Sequence, residues 1–202
     1  MPSAPERCSA RAPNGLPGDP LNVALIEPQP APNTGNIARL CAATESALHL
    51  IEPLGFSIDE TELRRSSVNF WDQVDLWVHP GWPHFRQAIS RDRCWYFSAK
   101  ARVPYWQAPI ADGACLVFGN ETDGLPMKIL EKHPERSFRI PMPGEVRSLN
   151  LANAVSVVLY EGLRQLGLHH GDAPALEGDD AGTEAGPETG TGATKRRGRP
   201  RG

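Results

Sequence analysis

The chain is short of the features that announce several common functions. No apolar run approaches the ~20 residues that carry a helix through a bilayer, and no apolar signal-peptide core stands at the N-terminus, so a cytoplasmic protein without a membrane partner is the expectation. The four cysteines, Cys8, Cys41, Cys94 and Cys115, are widely spread and make no CxxC or Cys/His ligand spacing. Three of them fall in segments that read as core, which points to reduced, buried thiols. Paired histidines at metal spacing are missing too, so a metal hydrolase is disfavoured and no metal is expected. There is no GxGxxG spacing and no GxxxxGK[ST], which disfavours nicotinamide and nucleoside-triphosphate sites. The net charge of -3 gives no bulk attraction to nucleic acid, although it averages over a basic run from Lys195 to Arg201. That run suits a solubilising tail, or sequence-independent contact with phosphates.

What is present sorts into three parts. Residues 1–20 are rich in Pro, Ala, Gly and Ser without periodicity, and residues 169–202 are dominated by Gly, Ala, Thr, Asp and Glu before closing on KRRGRPRG. Neither end holds enough apolar surface to offset the entropy of ordering, so both are expected to be disordered. Residues 21–168 form the expected globular domain.

Inside that domain, short apolar runs alternate with helical patterns. Leu21 to Pro28, Leu48 to Gly55, Val74 to Gly81, Cys94 to Lys100, Ala114 to Glu121 and Ser137 to Pro143 read as strands. Between them, turn formers up to Gly35 give way to a helix through Ile37, Leu40 and Cys41. Helices are also expected over Asp59 to Ser67, around His84 to Ile89, and from Met127 to His133. ARVPYWQAPIADG, with two prolines, reads as a loop. The last helix is the clearest. Leu151, Val155, Val158, Leu159 and Leu166 recur at helical spacing, and Gly167 supplies a stop. The alternation predicts an α/β fold: a mainly parallel sheet with helices on both faces.

Ligands in such sheets sit beyond the carboxyl ends of the strands, which singles out PNTGN, FSAK, FGNETDGL and IPMPGEVRSLN. These exits are rich in small residues, Pro and Asn, as suits main chain wrapped closely around a small organic molecule. Asn33, Arg39, Glu121, Ser148 and Asn150 are the polar groups available to point inward. Each has a plainer reading beside the functional one. Asn33 fits a turn, Arg39 a solvated helix charge, Glu121 a partner for a helix dipole, and Ser148 and Asn150 fit helix caps.

EPQPAPNTGNIARLCAAT, FGNETDGLP and RIPMPGEVRSLNLANAVSVVLYEGLRQLG, in that order, resemble the SpoU-type branch of the SPOUT methyltransferases. Within it they are most similar to the small, single-domain enzymes that methylate the ribose 2'-hydroxyl of the wobble nucleotide, cytidine or uridine, of tRNA. The resemblance implies a C-terminal trefoil knot, S-adenosylmethionine as cofactor, and a homodimer built on the last helix. Carried onto this chain, it makes Asn33, Arg39, Glu121, Ser148 and Asn150 the catalytic motif residues. Phe97, Gly119, Ile140 and Leu149 lie where backbone and apolar walls hold the cofactor, and Tyr160 matches a position that serves activity. Arg64 and Arg65, with Tyr105 and Trp106, are the candidates for RNA contact, by charge and stacking, with core packing the equal alternative for the two aromatics.

Two departures bear on the substrate. Asn120 stands where the wobble enzymes usually carry Pro, and RRSSVNFWD has Asn69 and Phe70 where an acidic residue and Tyr are expected. Methylation of another tRNA or rRNA site, and a catalytically silent RNA-binding protein of the same fold, are the alternatives.

Overall fold

A computed structural model of the chain describes residues 6–7, 20–57 and 73–167. The strands are β1 (Glu6–Arg7), β2 (Asn22–Ile26), β3 (Ala47–Ile51), β4 (Asp75–His79), β5 (Cys94–Phe97), β6 (Val103–Pro104), β7 (Cys115–Phe118) and β8 (Ser137–Arg139). They form one sheet in the order β1-β4-β3-β2-β7-β5-β8-β6. Every neighbouring pair is parallel except β1 with β4, which closes one edge antiparallel.

The helices are α1 (Ala31–Ala43), α2 (Trp82–Ala88), α3 (Met127–Lys132) and α4 (Leu151–Gln165). Side chains alternate across a strand, and the two helical layers read that alternation. Val23, Leu25, Leu116 and Phe118 face a core shared with Ile37 and Cys41 of α1 and Val155, Val158 and Leu159 of α4. Ala24, Ile26, Cys115 and Val117 face the other way, onto Phe85 of α2 and Leu130 of α3. Strands covered on both faces have no solvent face to show, which is why β2, β3 and β7 are buried at every residue and read as mainly apolar runs, with Asn22 and His49 the buried polar exceptions. Cys41, Cys94 and Cys115 are free and buried, and burial pushes the Cys41 thiol well above its ordinary range.

Three local features differ from the sequence expectation. Helix α1 begins at Ala31 and not after Gly35, so Asn33, Thr34 and Gly35 lie in its first turns. Pro32 is no obstacle there, because the first N–H groups of a helix have no internal partner to lose. Second, the stretch Ala101 to Gly113 is not all loop. It holds β6 and a 3-10 turn at Tyr105–Gln107. β6 is the last strand of the sheet, and an edge is where a proline without an N–H is tolerated. Third, Glu6–Arg7 forms a strand within the segment expected to be disordered. The predicted helix Asp59 to Ser67, with Arg64 and Arg65, and the departures at Asn69 and Phe70 lie outside the described residues, as do residues 169–202. Among the described residues, no helix is long and apolar enough to cross a membrane, and no cluster of three or more His, Cys, Asp or Glu side chains is arranged to hold a metal ion.

From β2 the sheet grows one way through β3 and β4 and the other way through β7, β5 and β8. The order reverses between β2 and β7, and the crevice past their carboxyl ends is where an open α/β sheet takes its ligand.

Candidate functional site

That crevice is stitched by a chain of side-chain hydrogen bonds. The Gln29 N–H donates to Glu121 Oε2 at 3.0 Å, and Asn33 Nδ2 donates to Glu121 Oε1 at 2.9 Å. Asn150 Nδ2 donates to Asn33 Oδ1 at 3.0 Å, while Asn150 Oδ1 accepts from the Ala152 N–H at 2.9 Å as the N-cap of α4. Three segments far apart in sequence are thereby locked: the exit of β2, the exit of β7 and the entry to α4. Both oxygens of Glu121 are engaged by main chain and side chain of the β2 exit. The carboxylate is a brace, and hydrogen bonds from a backbone N–H and a carboxamide to a charged acceptor are individually stronger than neutral ones.

The brace borders a cavity of about 740 Å³, within the ~300–1,000 Å³ usual for small-ligand sites. Its apolar wall includes Phe97, Phe118, Ile140, Met142, Leu149 and Leu151. Its polar groups include Asn33, Ser98, Glu121, Ser148 and Asn150, with Lys100 and Arg147 as cations and Asp123 as a second carboxylate. One backbone tie and one side-chain tie hold the rim: the Ser98 N–H donates to the Phe138 carbonyl at 2.9 Å, and Lys100 Nζ donates to the Asp123 carbonyl at 2.8 Å.

The loop after β7 is tightly closed on itself. A Cβ at Gly119 would stand 2.0 Å from the Gly124 carbonyl carbon, so no larger residue fits without moving backbone. Gly124 itself has φ +69°, a conformation that side chains disfavour. Asn120 completes the turn: its Oδ1 accepts from the N–H groups of Thr122 at 3.1 Å and Asp123 at 2.7 Å. The unexpected asparagine therefore has a structural task that a proline ring could not perform.

Of the residues singled out from the sequence, Asn33, Glu121, Ser148, Asn150, Phe97, Gly119, Ile140 and Leu149 all line this one cavity. Arg39 does not. It is exposed on α1, beyond the cavity wall. Tyr160 is 57% exposed on α4, Trp106 is 50% exposed, and Tyr105 packs partly buried beside it. Arg64 and Arg65 fall outside the described residues. Sequence reasoning left out Ser98, Lys100, Met142 and Arg147 as site residues, although each lies in a strand exit already marked as a ligand-facing segment.

The model of the SpoU rRNA methylase family matches residues 20–160. A tRNA (cytidine(34)-2'-O)-methyltransferase from Saccharophagus degradans is 46% identical over 148 residues, 73% of this chain and 96% of the relative. A structure described as giving insight into 2-OH methylation of C/U34 on tRNA is 42% identical, with a TM-score of 0.70 over 74% of this chain and 97% of the other. The SpoU methyltransferase AviRb from Streptomyces viridochromogenes, solved with the cofactor AdoMet, is 25% identical, with a TM-score of 0.61 over 73% of this chain and 58% of the other.

Proposed function

Because the chain belongs to the SpoU methylase family, we propose that it is a tRNA 2'-O-methyltransferase that modifies the ribose of the wobble nucleotide, cytidine or uridine, with S-adenosylmethionine as methyl donor. The observation that carries this reading is the Gln29–Glu121–Asn33–Asn150 chain of hydrogen bonds, which joins three strand-exit motifs around one cavity. Identity of 46% and 42% to proteins whose described activity is on nucleotide 34 of tRNA supports the substrate.

The cavity suits the cofactor by its chemistry. Phe97, Phe118, Ile140, Leu149 and Leu151 offer apolar walls for an adenosine, and the lining carries both carboxylates, Glu121 and Asp123, and cations, Lys100 and Arg147, as suits the amino and carboxylate groups of a methionine end. When bound, S-adenosylmethionine supplies an electrophilic methyl group for in-line displacement by a ribose hydroxyl. Phe97, Gly119, Ile140 and Leu149 hold the cofactor, and Ser148 and Asn150 fix its methionine end or the target ribose. Glu121 keeps the exits of β2 and β7 in register, so that positioning supplies much of the acceleration. A hydroxyl must lose its proton to attack, and a guanidinium is effectively always protonated. Arg39 therefore orients the hydroxyl and an adjacent RNA phosphate and stabilises developing negative charge, with phosphate or water accepting the proton.

The working unit in this reading is a cytoplasmic homodimer, with residues 21–168 as the catalytic domain and the C-terminal segment threaded as a trefoil knot, a rare exception to unknotted topology. Along α4 the residues Asn153, Val157, Tyr160 and Arg164 are exposed at helical spacing and form one stripe. α4 packs against α1, so a second copy on that stripe lies beside the helix that carries Arg39. Incubation of purified protein with methyl-labelled cofactor and total tRNA, followed by mapping of the labelled nucleotide, tests the proposal. Label on the wobble ribose is the expected result. Label elsewhere reassigns the RNA target, and no transfer leaves a silent binder.

A further inference from the structure

A second cavity, of about 350 Å³, opens on the other side of the FGNETDGLP segment, between α2 and α3. Gly119 to Gly124 line the first cavity, while Pro126, Lys128 and Ile129, next along the chain, line the second. Four cations, Arg86, Arg91, Lys128 and Lys132, face it against the single carboxylate of Glu27. In a chain of net charge -3 this is a local reversal of sign.

The cations are not spent on structure in equal measure. Arg86 is committed: its guanidinium donates to the Ile89 carbonyl at 2.8 Å and to Cys94 Sγ at 3.2 Å, and it lies 6.0 Å from the centre of the Trp82 ring. Among the described residues, the side chains of Arg91, Lys128 and Lys132 make no ion pair or hydrogen bond. Of the nearby carboxylates, Asp92 lies 3.8 Å from Arg136, and Glu135 stands between Arg136 at 4.0 Å and His133 Nδ1 at 3.9 Å. Lys128 and Lys132 are exposed and four apart on α3, where like charges repel; Lys132 suits the C-terminal turn, but Lys128, in the first turn, has no such role. An aromatic floor completes the cavity. Trp82 is partly exposed in it, and His133 stacks on Tyr96 with ring centres 5.3 Å apart and planes within 16°. Burial, and then the charge of Arg91, hold His133 below its ordinary range, which leaves the imidazole neutral near pH 7.

We propose that this cavity is a subsite for a phosphate and a splayed base of single-stranded RNA adjoining the methylated nucleotide, with Arg91, Lys128 and Lys132 on the phosphate and Trp82 and His133 beside the base. A cationic rim over aromatic rings is how unpaired RNA is held by charge and stacking. The FGNETDGLP segment joins the two cavities, so RNA bound here is positioned against the first. The inference rests on the tRNA reading of the first cavity.

The test is steady-state methylation of tRNA by the full-length protein and by the Lys128→Glu/Lys132→Glu double variant, with Lys128→Gln/Lys132→Gln as a milder pair. Both pairs change exposed side chains, and thermal melting checks the fold. The expected result is a KM for tRNA raised about tenfold in the Glu pair and less in the Gln pair, with kcat and S-adenosylmethionine affinity within twofold of the parent. RNA affinity measured across salt should show a log–log slope shallower by about 1.4, because two lysines no longer neutralise phosphates of a single strand. An unchanged KM and slope, with the parent active on tRNA, overturns the subsite. A parent that methylates no tRNA refutes the wider function instead, and the salt slope of RNA binding still decides the subsite. Saturable binding of AMP or inorganic phosphate that the Glu pair abolishes, with the tRNA KM unmoved, makes this a free-nucleotide site and overturns the RNA assignment.

Discussion

Asn150 serves two ends with one carboxamide: its oxygen caps α4 and its nitrogen holds Asn33. The cap alone is legible in the sequence, since Asn before an apolar periodic run is a helix start. The nitrogen's partner, 117 positions away in the chain, is visible only once the fold has brought the two together. Substitution separates the roles. Asn150→Asp keeps an acceptor for the Ala152 N–H and loses the donor, so stability should stay within about 0.5 kcal/mol while cofactor affinity falls roughly tenfold. Asn150→Ala loses both and should also cost about 1 kcal/mol of stability. Urea melts beside cofactor titration read the two effects, and an Asp variant with full affinity shows that the nitrogen does nothing for the site. Arg39 poses the opposite problem, a residue picked out by its motif and placed off the cavity wall of a single chain. If its planar fork orients hydroxyl and phosphate together, Arg39→Lys should lower kcat by tenfold or more with little change in cofactor binding. Turnover near that of the parent argues against bidentate orientation.

At the scale of the elements, α4 is the most readable and carries the clearest division of labour. Leu151, Val155, Val158 and Leu159 are buried in the core as their spacing requires, while Val157, 36% exposed, and Tyr160 stand on the opposite side. An apolar and an aromatic residue left in water on an otherwise amphipathic helix are what a partner copy would cover. Val157→Glu with Tyr160→Glu should therefore convert a dimer to a monomer at micromolar concentration in sedimentation velocity, with the melting temperature of the monomer unit little changed. A parent protein that is itself monomeric sinks the dimer proposal outright. Periodicity locates the other principal strands and helices within a few residues, because a sheet buried on both faces leaves a nearly continuous apolar signature. It fails where local chemistry points away from the outcome. β6 consists of two residues, one of them proline, and is a strand only because the edge of the sheet accepts it. The first turn of α1 is hidden in PAPNTG, whose turn-forming composition is compatible with a helix start that needs no N–H donors.

For the molecule as a whole, the two helical layers differ in kind. The α1/α4 side is an apolar core beneath the cavity, whereas the α2 side encloses a polar file across β2, β3 and β4. Asn22 Nδ2 donates to the carbonyls of Pro20 and Gly113, each at 3.3 Å, so its Oδ1 is left to accept from His49 Nε2 at 3.1 Å. His49 Nδ1 then accepts from His79 Nε2 at 3.0 Å, and among the described residues His79 Nδ1 is a buried acceptor without a partner. Both rings are neutral in this arrangement. Burial, with the neighbouring His79, pushes His49 down to about 3, and burial, with His84, pushes His79 down to about 4. An unfolded histidine titrates near 6.5, so between about 6.5 and 4 the unfolded chain takes up protons that the native chain refuses. These residues therefore leave stability independent of pH above about 6.5 and lower it as pH falls below that value, by up to about 1.4 kcal/mol per pH unit for each histidine. Chemical denaturation near pH 7 and near pH 5 should show that loss in the parent. In His79→Gln, where a carboxamide can still donate to His49 Nδ1 but cannot titrate, the slope should be about halved. A parent equally stable at both pH values, or a variant with an undiminished slope, contradicts a neutral histidine file at the centre of the sheet.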